Sequence, residues 1–103
     1  MRQFNQAIDF QWDQGNDLKN WKKHYVTKQE VEEVFSGFTI GFPDEKHSNG
    51  EKRYCIIGRS KANRILFIIY TLRANKTRVI SARPSSKFER NLYEKTFKKY
   101  SKI

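Results

Sequence analysis

The chain is short of what marks exported, membrane-embedded or metal-binding proteins. It has one cysteine, Cys55, so no internal disulfide can form, which fits a cytosolic setting. Cys55 lies mid-strand between Tyr54 and Ile56, where it is expected to pack as a small hydrophobe. His24 and His47 stand apart, with no H-x-x-x-H or C-x-x-C spacing, so neither a metal site nor a cofactor is expected. The five glycines build no phosphate-cradling loop. No apolar run nears the ~20 residues of a membrane span; the longest, ILFIIY at 65–70, is strand-length, and no membrane role is expected. MRQFNQAIDF at the start has no apolar h-region and no small-residue cleavage site, so the expected location is cytoplasmic.

Acidic residues are scarce in one half only. Residues 1–51 hold 6 Lys/Arg against 9 Asp/Glu, a balance of −3. Residues 52–103 hold 15 against 2, a balance of +13, and together these give the net charge of +10. Such polarisation puts a positive field over part of the surface, and nucleic acid is the favoured partner for it. Fifteen percent aromatic residues suffice for a core, and 103 residues fit one domain.

The pattern of apolar residues gives an order α-α-β-β-β-β-α. WDQGNDLKNWKKH (12–24) reads as a short helix, with Asp13 as N-cap and Leu18 and Trp21 on one face. In VTKQEVEEVFSGF, Thr27 caps, Glu30 completes a capping box, Val26 staples against Val31, and Gly37 ends the helix. Strands follow over 38–42, 52–58, 64–72 and 77–83, joined by hairpin-length turns. Ser86 and Glu89 form a second capping box, opening a helix of about 14 residues whose apolar positions are Phe88, Leu92, Tyr93, Phe97 and Tyr100. The fold class is α+β: two N-terminal helices, a four-stranded antiparallel sheet and a C-terminal helix.

Strict alternation puts Arg64 on a face with Leu66, Ile68 and Tyr70, and Arg83 on a face with Thr77, Val79 and Ser81. A hairpin between these strands brings Arg64 and Arg83 together at one sheet end, with Arg59 ending the neighbouring strand there. Converging guanidiniums suit a phosphate, because the planar fork bonds two of its oxygens at once. Arg59, Arg73, Lys76 and Arg78 are otherwise expected as solvated hairpin ends. The chemistry left open to such a site is metal-free RNA cleavage, in which the RNA 2′-hydroxyl attacks its own phosphate. It then requires a proton acceptor, a proton donor and cations for the phosphorane. His24 and Glu51 are the acid–base candidates.

Three stretches, FQWDQGNDLKNWKKHYVTKQEVEEVF (10–35), EKRYCIIGRSKANRILFIIYTLR (51–73) and TRVISARPSSKFERNLYEK (77–95), resemble the BrnT toxin family. The resemblance implies a RelE-like fold and a metal-independent ribonuclease toxin of a type II toxin–antitoxin pair. It also implies a BrnA-like antitoxin that covers the toxin's site and carries it to operator DNA as a heterotetramer. Carried over by motif, the site would use Lys23 and His24, Glu51 and Arg53, Arg64, Arg83 and Tyr93. Arg64 and Arg83 would bind phosphate and transition state, His24 or Glu51 would move the proton, and Tyr93 would stack a base or fill the core. The chain departs from the family pattern at Tyr25, where Gly is usual, at Pro84 after S-A-R, and at Asn63 in place of Gly. The alternatives are a basic domain that binds nucleic acid without cutting it, and a degenerate toxin retained for transcriptional control.

Overall fold

The structure is a computed structural model that describes residues 8–16, 19–47 and 50–101. Its elements are α1 (Lys19–His24), α2 (Lys28–Phe35), β1 (Thr39–Pro43), β2 (Arg53–Arg59), β3 (Ile65–Arg73), β4 (Lys76–Pro84) and α3 (Lys87–Tyr100), with a 3₁₀ turn at Glu45–His47. The sheet is antiparallel in the order β1-β2-β3-β4, as alternation and hairpin-length connections require. The α+β class and the sheet therefore stand as expected. No described helix is long and apolar enough to cross a membrane.

The two sheet faces carry separate apolar clusters. Ile56, Leu66, Ile68, Val79 and Ala82 pack with Val26, Val31 and Val34 from the α2 region. Ile57 and Ile65 pack with Tyr93 of α3. Adjacent Ile56 and Ile57 point to opposite faces by strand alternation, so α2 and α3 cover opposite sides. Gly58 makes the α2 side possible, because a Cβ there would stand 2.7 Å from Val34 Cγ1. Cys55 is buried, and burial pushes its thiol up to about 11, which keeps it inert.

The N-terminal helix is shorter than its sequence suggests. Asp13 does not cap it; its Oδ1 accepts from Gly15 N at 2.8 Å in a tight turn, and its Oδ2 accepts from Arg78 Nη1 at 2.7 Å. Residues 9–11 instead run alongside β4, with Gln11 N donating to Thr77 O at 2.8 Å and Thr77 N to Asp9 O at 2.7 Å. Arg78, expected as a solvated hairpin end, is thereby 14% exposed at its side chain. The expected Leu18–Trp21 face lies outside the described residues and side chains.

The later caps are easier to trace. Ser86 and Glu89 form both halves of their box, starting an α3 of 14 residues. Thr27 Oγ1 accepts from Glu30 N at 3.0 Å, but the Glu30 carboxylate turns inward to Ser60 and Arg64, so the second half of that box is not made. Helix α2 stops at Phe35 with Ser36 as cap, and Gly37 follows without positive φ. On α3 only Tyr93 is fully buried; Phe88 is 75% exposed.

Tyr25 sits at φ 56° directly after α1, a left-handed helix end that favours Gly. Its ring is largely exposed, so little burial offsets the backbone strain. Tyr25→Gly is expected to stabilise the fold by about 1 kcal/mol, raising the thermal midpoint by roughly 4–8 °C. A lower midpoint would show that the ring contributes more than the strain costs.

Candidate functional site: an arginine-lined cleft at the sheet end

A cleft of about 390 Å³ opens where β2 ends, β3 begins and β4 hands over to α3. Arg59 comes from the end of β2, Asn63 and Arg64 from the β2–β3 turn, Pro84 and Ser85 from the end of β4, and Arg90 and Glu94 from α3. The turn closes because Asn63 takes φ 69°, which Asn tolerates, while Ser60 N donates to Arg64 O at 2.8 Å. Arg59 Nη1 donates to Asn63 Oδ1 at 2.8 Å, its Nη2 lies 3.7 Å from Glu94 Oε2, and its guanidinium sits 5.7 Å from the Tyr93 ring centre.

Arg64 is held on one edge. Its Nε donates to Glu30 Oε2 at 2.8 Å, and its Nη2 donates to Glu30 Oε1 and, at 2.9 Å, to the Tyr25 carbonyl. Ser60 Oγ also donates to Glu30 Oε2, at 2.9 Å. The Arg64 hydrogen bonds hold the Glu30 carboxyl below its usual value, outweighing the upward push of burial. Arg64 Nη1 makes no hydrogen bond among the described residues, and Arg64 is one of the residues that line the cleft. The bond to Tyr25 O ties Arg64 to the residue that follows α1, whose last two residues are Lys23, exposed, and His24, half-buried.

Arg83 does not share that site. Tyr70 pairs with Val79 and Ile69 with Ser81, so Ile80 is an extra residue in β4, a bulge. The bulge reverses alternation after Val79, and Arg83 emerges on the α3 face opposite Phe67, 4.3 Å from that ring's centre. There its Nη1 and Nη2 donate to the two Glu89 carboxylate oxygens, each at 2.9 Å, and Nη1 also donates to Pro84 O at 3.1 Å. The expected anion bridging Arg64 and Arg83 is therefore corrected. The two guanidiniums lie on opposite faces, and each is neutralised by its own carboxylate.

Two more expected members lie elsewhere. Glu51 accepts from Arg73 Nε at 2.6 Å and Nη2 at 3.0 Å, at the far end of β3. That strand has 9 residues, so Glu51 stands ~30 Å from Arg64 and cannot share a reaction centre with it. Arg53 pairs in register with Thr71 at the same far end and lines a separate depression with Pro43, Glu45, Lys52 and Tyr54. Tyr93 is 2% exposed and its hydroxyl donates to Phe38 O at 3.0 Å, so its ring fills the core and offers no face to a base. Burial raises its phenol.

Arg90 and Glu94 stand inside the 77–95 stretch that carries the resemblance but were not carried over as site residues, although their spacing of four places them on one side of α3. Glu94 and Glu89 are the two acids after Glu51, a scarcity that also pointed to them.

Comparison with known families agrees with the sequence motifs. The family described as "Ribonuclease toxin, BrnT, of type II toxin-antitoxin system" matches residues 12–89, about three quarters of the chain. A search of curated proteins finds no match. The match spans both N-terminal helices, the whole sheet and the start of α3, and on it the chain belongs to the BrnT family of ribonuclease toxins of type II toxin–antitoxin systems.

Proposed function

We propose that this chain is a metal-independent endoribonuclease of RelE-like type acting at the sheet-end cleft. The carrying observation is that Arg59, Arg64 and Arg90 line one opening, from three different segments of the fold. Three arginines lining one opening, Arg64 held from the α2 side and Arg59 and Arg90 on the α3 side, suit a phosphodiester whose negative charge grows as a pentacoordinate phosphorane forms. The attacking group is the RNA 2′-hydroxyl, so the protein supplies cations and proton transfer rather than a nucleophile. Arg64 presents Nη1 to the phosphate while Glu30 and Tyr25 fix its plane. His24, next to the Tyr25 carbonyl that Arg64 grips, supplies the proton to the departing 5′-oxygen. Lys23, exposed beside it, holds a flanking phosphate. Arg83 supports the site from behind by fixing the start of α3, the helix that carries Arg90.

The partners in this reading are RNA as substrate and a BrnA-like antitoxin as inhibitor. The antitoxin covers the cleft and takes the toxin to operator DNA as a heterotetramer, in the cytoplasm. The polarised charge supports it, since a surface carrying +13 over residues 52–103 needs an acidic cover when idle.

Cleavage of a defined, protein-free RNA in EDTA tests the reading. Arg90 is a clean probe because its side chain is exposed and has no protein partner among the described residues. Arg90→Ala is expected to keep the parental melting temperature and to lower cleavage about tenfold, the loss of one charge-assisted phosphate contact worth roughly 1.5 kcal/mol. Its log–log salt slope of RNA binding should flatten by about 0.7. A parent that binds RNA but leaves it whole, free and on ribosomes, would replace the nuclease by a binding domain.

A further inference from the structure

We infer that Glu94 is the general base of this cleavage, taking the proton from the attacking 2′-hydroxyl; the inference rests on the nuclease reading above. The cleft needs a proton acceptor, and the nearby carboxylates differ in how far they are committed. Glu30 accepts from Arg64 through both oxygens and from Ser60 Oγ. Glu89 accepts from Arg83 through both oxygens and from Ser86 N at 2.8 Å. Carboxylates saturated in this way have their lone pairs occupied and make poor bases. Glu51 lies at the other end of the sheet. Glu94 lines the cleft itself, accepts no hydrogen bond among the described residues, and keeps its side chain 49% exposed. Its nearest cation is Arg59 Nη2 at 3.7 Å, close enough to orient the carboxylate and too long to consume it.

The surroundings sharpen the point. Glu94 stands on a helix whose neighbouring charges are Arg90, Lys95, Lys98 and Lys99, and it is one of two acids after residue 51. The other, Glu89, has a structural task as capping residue and partner of Arg83. A negative charge at the mouth of a phosphate-binding cleft weakens RNA binding, and a base role explains its presence. The plain alternative is an ion pair with Arg90 and Lys98 one turn away on either side, worth about 0.2–0.5 kcal/mol.

The step balances without a co-reactant. The O2′–H proton passes to the Glu94 carboxylate as the O2′–P bond forms. The P–O5′ bond breaks, and O5′ takes a proton from His24 or from water. The products are a 2′,3′-cyclic phosphate and a 5′-hydroxyl end, and Glu94 returns its proton to solvent.

The test pairs turnover with binding, in EDTA, for the parent, Glu94→Gln and Arg90→Ala. Binding is measured on the same RNA carrying a 2′-deoxy sugar at the cleaved position. Glu94→Gln is expected to lower kcat by about 10²–10⁴-fold, the usual contribution of a general base. It should at the same time bind the 2′-deoxy RNA more tightly, because a negative charge has left the cleft. A kcat change below about fivefold, the size of a solvated surface pair, overturns the inference while an active parent preserves the nuclease reading. Parallel losses of kcat and binding would also overturn it, marking Glu94 as a positioning group for Arg59. A parent with no cleavage fails at the earlier step and overturns both.

Discussion

Replacing Arg64 by alanine is expected to cost about 3 kcal/mol at neutral pH and to lower the thermal midpoint by roughly 12–24 °C. The cause is what the substitution leaves behind. Glu30 is 11% exposed at its side chain, and without Arg64 it becomes a buried carboxylate with Ser60 as its remaining side-chain partner. Breaking a buried pair on one side costs ~3–5 kcal/mol, and the low end applies because Arg64 is itself 36% exposed. The loss should shrink as pH falls, since burial raises an unpaired carboxyl and protonation then removes the stranded charge. Adding Glu30→Gln should recover about 1 kcal/mol or more at pH 7 by the same logic. Denaturant titrations of the single and double variants across pH decide it; a double variant less stable than Arg64→Ala would refute the stranded-charge account. On the proposed reading, cleavage should vanish in Arg64→Ala and stay absent in the double variant, because both lack the Arg64 guanidinium assigned to the phosphate.

Arg83→Met is expected to lose about 2 kcal/mol of stability and to retain most of its RNA affinity. Methionine preserves contact with the Phe67 ring while removing the fork that holds Glu89. The figure is discounted because the Arg83 side chain is 35% exposed against 16% for Glu89. Burial pushes the Glu89 carboxyl up, and the hydrogen bonds from Arg83 and Ser86 more than reverse this, leaving it below the ordinary value of 4.5. Glu30 is depressed from the same value. A folded-state carboxyl lower than its unfolded counterpart contributes stability in full above the unfolded value, and that contribution disappears as pH falls through the folded one. The parent should therefore weaken from about pH 5 downward, and Arg83→Met should show a shallower slope over that window. Loss of RNA affinity in a folded Arg83→Met protein would return Arg83 to the phosphate site.

These two arginines also show what the sequence reveals and what it hides. Strands, hairpins and the Ser86 box were legible because each rests on residues within a few positions: alternation, turn length, or a side chain capping its own helix. The short α1 was not, because Asp13 meets Arg78 across 65 positions and spends its carboxylate there rather than on a helix end. Glu30 misled in a similar way. Its place three residues after Thr27 reads as a capping box, whereas its carboxylate is claimed by Arg64, 34 positions on. Arg64 itself was found at the sheet end, since strand order and hairpin length place it there. Arg83 was sent to the wrong face because Ile80 carries no mark of a bulge, being an ordinary strand residue. Arg90 and Glu94 escaped because their helix looks like a solvated basic rod until Tyr93 packs it onto the sheet face beside Ile57 and Ile65.

Ile80 has a consequence for descent as well as for shape. Residue by residue, β4 keeps one parity up to Val79 and the other from Ser81 onward. Loss of that single codon would restore strict alternation and still leave Ala82 and Arg83 on their present sides, because Ser81, Ala82 and Arg83 already oppose Ile69, Ile68 and Phe67 in turn. Loss of a second residue there would turn Arg83 toward the α2 core and take from Glu89 its partner. Drift in such a lineage can therefore shed the one extra residue between Val79 and Arg83, whereas a further deletion exchanges the environments of the whole strand end.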